Sequence, residues 1–191
     1  TGANNTAVGK DALNANTTRY NNASVGAFSL LSNTTGAFNT ALGKDALGAN
    51  TTANNNTAVG HDALTANTTG TLGTAVGSNA LAANTTGSSN TAIGANSMLV
   101  NATGQDNVAV GRATLDANTT GGSNTAIGMQ ALSENTTASN NTAVGRNAML
   151  VNTTGTRNTA IGAFALDANT TEGQNTAVGY QSLSSNTTGS L

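Results

Sequence analysis

The chain has no cysteine, no proline and no tryptophan. Without cysteine there is neither a disulfide framework nor a thiolate metal site. Charged residues make up only 7% of it, against about 25% in ordinary globular domains. The formal net charge is −2, so no basic footprint for nucleic acid is present and no nucleic-acid partner is expected. No apolar run is long enough for a membrane-spanning helix, so no membrane span is expected either. The dipeptides Asn-Gly and Asp-Gly do not occur. These are the strongest signals for two-residue hairpins, so an antiparallel meander is not expected.

What the chain does contain is a repeat. Aligned on the glycine of the NTAVG-like pentapeptide, the sequence returns every 17 residues, from Gly9 and Gly26 to Gly162 and Gly179, with no insertion or deletion. The coils are taken to start at Asn5, Asn22, Asn39, Asn56, Gly73, Asn90, Asn107, Asn124, Asn141, Asn158 and Asn175. Residues 1–4, TGAN, match the last four positions of such a unit and are expected to close a preceding coil. The unit reads N-T-A-V-G-x-x-A-L-x-x-N-T-T-G-x-x. Position 5 is Gly, position 12 Asn and position 14 Thr in all eleven copies. Position 4 is always Val, Ile or Leu, position 9 always Leu or Met, and position 8 always Ala, Ser or Thr. Asn, Thr and Gly are abundant enough to suggest disorder, but spacing this strict argues for an ordered array.

In an extended pentapeptide side chains alternate between faces. Thr6 and Val8 then share one face, and Asn5, Ala7 and Gly9 the other. Position 3 is Ala ten times and Ser once, at Ser24, so close packing is expected on that face as well as behind Val8. A glycine that never varies points to positive φ or to very close backbone approach. Position 15 is Gly seven times but Arg19, Ala53, Ala138 and Glu172 elsewhere, so that turn has no absolute need for a left-handed residue. The apolar positions 3, 4, 8 and 9 form no helical stripe, and each unit is interrupted by Gly and Asn-Thr-Thr. Leucine-rich repeats need longer units and a Leu-x-Leu strand, which is missing.

The architecture left standing is all-β: a parallel β-solenoid of eleven 17-residue coils in a single repeat array. Coils stacked about 4.8 Å apart would make a rod of roughly 50 Å. Position 4 would then form a buried Val/Ile ladder, position 9 a buried Leu/Met ladder and position 12 an Asn ladder with amides bonded along the stack. One Val or Ile and one Leu per coil is a thin core, which points to further burial between copies of the chain.

NTAIG at 90–94 and NVAVG at 107–111 resemble the S-V-A-I-G core of trimeric autotransporter adhesin heads, and the whole NTAVG/NTTG array is similar to those in fibres of the phage tail type. Position 2 is Val108 in one coil, Ala23 in another and Thr in the rest. The resemblance implies a left-handed parallel β-roll, three chains per fibre, and display or adhesion at a cell or virion surface.

Every coil carries the triplet Asn-x-Thr, at Asn16, Asn33, Asn50, Asn67, Asn84, Asn101, Asn118, Asn135, Asn152, Asn169 and Asn186. Each is a candidate N-glycan acceptor in a secreted protein, and the sequon survives where Ala102 replaces its middle residue. The competing reading is an inward ladder of the Asn and the second Thr, with the middle residue facing out. It explains why the last residue is never Ser.

Candidate lateral contacts lie at the variable positions: Phe28 and Phe164 at position 7, and Leu99-Val100 and Leu150-Val151 at positions 10–11. The last two pairs occur only in the units that hold Met98 and Met149. They are expected either to pack copies together or to form an adhesive patch.

No catalysis, metal or cofactor is expected. His61 is the single histidine, at a freely varying position, and Asp11, Asp45 and Asp62 follow Lys10, Lys44 and His61 as solvated, partly compensated charges. No coil gathers the several carboxylates that calcium needs. The function expected is an extracellular structural fibre or filament segment, whose partners are copies of itself. Two alternatives stay open: an adhesin or tail-fibre module that binds a host receptor or glycan, and an ice-binding solenoid.

Overall fold

The computed structural model describes residues 2–189. Eleven strands of three residues each recur along the chain, from β1 (Thr6–Val8) and β2 (Ala23–Val25) to β10 (Thr159–Ile161) and β11 (Thr176–Val178). They form one sheet in chain order, each strand parallel to the next. The register never slips: Thr6 pairs with Ala23, Ala23 with Thr40, and so on to Thr159 with Thr176. This is the β-solenoid expected from the 17-residue period.

The strict period has a physical cause. Backbone groups outside the strands also bond from coil to coil, as in Leu47 N–H to Ala63 O at 3.0 Å and Asp45 N–H to Ala27 O at 3.0 Å. One inserted residue would shift these donors away from two neighbouring coils at once, leaving buried polar groups without partners.

The sidedness of the strand differs from the expectation. The interior receives Asn and Ala at positions 1 and 3, and Thr and the aliphatic residue at positions 2 and 4 face outward. Ala58, Ala75 and Ala92 are fully buried, whereas Val8, Leu42 and Ile93 are 57%, 48% and 40% exposed. The buried Val/Ile ladder and the closely packed second face are therefore both corrected. The core consists of one Leu or Met per coil, such as Leu64, Leu81 and Met98, and the small residues of positions 3 and 8. Position 3, on this inner wall, is Ala or Ser in every coil, and Ser24 satisfies its buried hydroxyl at Ser29 O, 2.9 Å away. Where position 8 is polar the hydroxyl is satisfied, as Thr114 Oγ1 donates to Gly128 O at 2.7 Å and Ser97 Oγ to Ala109 O at 3.2 Å, in line with the rule for buried polar groups.

The invariant glycine serves both purposes proposed for it. Gly77 has φ +135°, and a Cβ there would lie 2.6 Å from Gly94 C and 2.7 Å from Gly94 O. Positive φ extends well beyond this position. Positions 7, 9 and 17 also take left-handed values, as in Asp45 (58°), Leu47 (51°) and Asn55 (60°). For a leucine this conformation costs roughly 1–2 kcal/mol. Position 9 tolerates it because the turn places the side chain in the core, with Leu47 and Leu64 almost wholly buried. None of the position-15 residues lies in the left-handed region.

Two asparagine ladders run inside the stack. At position 12 each Nδ2 from Asn33 to Asn169 donates to the Oδ1 of the preceding coil, as Asn67 to Asn50 at 3.0 Å and Asn84 to Asn67 at 2.9 Å. At position 1 each Oδ1 accepts the backbone N–H of the next coil, as Asn39 Oδ1 from Asn56 N–H at 3.0 Å. Both ladders meet at the position-15 carbonyl: Gly70 O accepts from Asn56 Nδ2 at 2.9 Å and Asn67 Nδ2 at 3.0 Å. These bonds tie the start of each coil to its end. Position 15 thus contributes its carbonyl, which explains why its side chain varies.

Gly73 interrupts the position-1 ladder. Its N–H still donates to Asn56 Oδ1 at 2.8 Å, but it offers neither an Oδ1 to the next coil nor an amide to the carbonyl of Gly87. Gly73→Asn is expected to stabilise the array by about 1–2 kcal/mol, from two restored hydrogen bonds and the lower entropy of the unfolded chain. A thermal melt of the two proteins measures this.

Candidate functional site

The sequence placed candidate sites at the sequons and at six apolar residues of the variable positions 7, 10 and 11. Nine sequon asparagines, Asn33, Asn50, Asn67, Asn84, Asn101, Asn118, Asn135, Asn152 and Asn169, are at most 1% exposed. In each of them Nδ2 donates twice, as Asn101 does to Asn84 Oδ1 at 3.0 Å and Gly104 O at 3.1 Å. A glycan would need one of those protons and a path to solvent, and this coil supplies neither. Asn16 and Asn186, in the two end coils, are half-buried.

The threonines of the triplet are placed opposite to the inward reading. From Thr51 to Thr153 the middle residue is half-buried, and its hydroxyl, where it has one, donates to the next coil, as Thr68 Oγ1 does to Thr85 O at 3.1 Å. The invariant second threonine is the exposed one, as at Thr69, Thr86 and Thr103. The inward Asn survives; the inward second Thr does not. The chain bends sharply after position 12, so simple alternation does not carry through the triplet.

The apolar variable positions lie on the surface but do not converge on a single feature. Leu99, Leu150 and Val151 are half-buried and Val100 is exposed. Phe28 and Phe164 are half-buried, each beneath a cation: Lys10 Nζ lies 5.3 Å from the Phe28 ring centre and Arg146 Cζ 5.5 Å from that of Phe164. Phe164 also meets the edge of Tyr180 at 6.2 Å. Such contacts cover ring faces and favour local order.

Asp45, His61 and Asp62 bring one ligand atom each to within 4.8 Å of one another. Each carboxylate has a neighbour of its own: Lys44 Nζ contacts Asp45 Oδ2, and His61 Nδ1 lies 3.1 Å from Asp62 Oδ2. The hydrogen bond to Asp45 raises the pKa of Lys44 above its ordinary value.

The most extensive feature is one the sequence reading assigned to the core. Position 4 builds an outward aliphatic ladder through the whole sheet, with Val8 beside Val25, Val25 beside Leu42 and Leu42 beside Val59, through to Ile161 beside Val178. An outward Thr ladder runs alongside at position 2, interrupted by Ala23 and Val108. No charged residue occupies positions 1 to 5 in any coil. Scattered exposed aliphatics are ordinary on protein surfaces, but a contiguous stripe marks an interaction site. One sequence signal could have revealed it. The small residue is fixed at position 3 while position 4 accepts Val, Ile and Leu, as a wall of limited space would impose on the first and an open face would permit on the second. Comparison with family models, with curated proteins and with solved structures returns no match to this chain.

Proposed function

We propose that this chain is a structural rod, a fibre or filament segment at a cell or virion surface, that holds its ends apart and presents repeated faces to copies of itself. The observation that carries this reading is the unbroken 17-residue register from β1 to β11, with paired asparagine ladders along the interior. Each coil is bonded mainly to its two neighbours, so length is set by coil number and stiffness by the ladders. Negative-stain electron microscopy is expected to show rods that lengthen in proportion when coils are added in multiples of 17 residues. Globular particles of unchanged length would overturn the proposal.

A second reading is favoured by the outward face alone. Its Thr and Val side chains present methyls and hydroxyls in even rows with no charge, an arrangement suited to holding ordered water. Thermal hysteresis measures ice binding; its absence in concentrated protein removes this reading.

A further inference from the structure

We infer that the outward strand face, the position-4 aliphatic ladder with the position-2 ladder beside it, docks against the same face of a second copy of this chain. The inference rests on the rod reading and names the surface through which rods associate.

Three observations select this occupant. The first is charge. The face carries none; the charged residues closest in sequence flank it, Lys44 and Arg146 past the invariant glycine at position 6, and Asp106 and Arg157 before the strand at position 17. A charged partner finds no complement on the face, whereas an identical neutral face meets no repulsion. The second is periodicity. The rows repeat at the strand spacing of about 4.8 Å, and a copy of the same sheet matches that spacing at every coil. Rows of side chains on two such sheets can interdigitate as in a dry zipper between mated sheets.

The third is area. Strands three residues wide and a stack of about 50 Å present a plane on the order of 500 Å² per copy, or roughly 1,000 Å² for the pair. That reaches the size at which specific interfaces begin, and the thin interior gives the burial a purpose. Coils one to ten each keep one Leu or Met and small residues inside, and the aliphatic residue at position 4 is the apolar group that recurs on the outside of every coil, whereas Phe38, Leu72 and Tyr180 are exposed singly elsewhere.

Sedimentation equilibrium of the intact chain tests the assignment, alongside a variant carrying Val76→Lys, Ile93→Lys and Val110→Lys. These side chains face solvent, so circular dichroism and the thermal midpoint should stay close to those of the parent. A variant with Val76→Thr, Ile93→Thr and Val110→Thr keeps β-branching should the lysines disturb the fold. The parent is expected to form a reversible two-copy species. The lysine variant is expected to dissociate at least tenfold more readily, and the threonine variant to fall between them. A control, Leu150→Asp, alters the surface away from the face and should associate as the parent does. Equal association of all four proteins, loss of association in the control alone, or a monomeric parent at millimolar concentration would each overturn the inference. Electron microscopy of the same samples keeps the two proposals apart: rods that stay monomeric refute the docking face and leave the rod reading intact, and globular particles refute the rod.

Discussion

Replacing Gly77 with alanine is expected to cost about 3–5 kcal/mol, combining the strain of a left-handed non-glycine residue with overpacking against the next coil. The backbone there holds φ at +135°, and the added methyl would sit 2.6 Å from Gly94 C. Neither neighbour can yield, because both belong to the bonded stack: Gly77 N–H donates to Val59 O and Gly94 N–H to Val76 O, each at 2.8 Å. Urea denaturation followed by circular dichroism measures the loss. Gly179→Ala separates the two causes. That glycine has φ +121° but no atom within 4 Å of the added methyl, so only the conformational part, about 1–3 kcal/mol, is expected. Equal losses at the two sites would show that stacking contributes nothing.

The second large effect is expected at Asn118. Its Nδ2 donates to Asn101 Oδ1 at 2.7 Å and to Gly121 O at 3.0 Å, and its Oδ1 accepts from Asn135 Nδ2 at 2.9 Å. Asn118→Ala leaves Asn101 Oδ1 and one Asn135 proton without their ladder partners in a buried channel, whereas Gly121 O retains its bond from Asn107 Nδ2 at 2.9 Å. Orphaned buried groups cost about 1–3 kcal/mol apiece, so a total near 3–5 kcal/mol is expected. The array is stabilised coil by coil, so a break in the middle should also uncouple the two halves. A broadened or two-step melt is expected in place of a single transition. Asn186→Ala, which removes two exposed bonds, one to Gly189 O and one from Gly189 N–H, should lower the midpoint by far less. A loss at Asn118 no greater than at Asn186 would show that the ladder does not brace the stack.

The fold was legible in the sequence because its constraints act one residue at a time. The invariant glycine reports a backbone that admits no Cβ, and the invariant position-12 Asn reports an amide with partners in neighbouring coils. The second asparagine ladder was less legible. Position 1 was grouped with Ala7 on one face, but Gly73 at that position hid its regularity. The left-handed leucines carried no local signal at all. Their φ is imposed by the turn that sends Leu47 or Leu64 into the core, against the ordinary preference of the residue.

The candidate surface was the least legible part. Alternation correctly put Thr6 with Val8 and Asn5 with Ala7, but it cannot say which pair faces in. Hydrophobicity alone favours Val inside. The tertiary structure reverses this because the coil closes around two ladders of asparagine whose amides must be buried together to be satisfied. The space left beside them admits a methyl group at position 3 and one Leu or Met at position 9. The sequence by itself determined the period, the strand pairing and the residues that cannot change. Only the closed coil decided sidedness, since the interior is chosen by the joint volume and hydrogen bonding of residues far apart in the unit, and that choice put the aliphatic ladder on the surface.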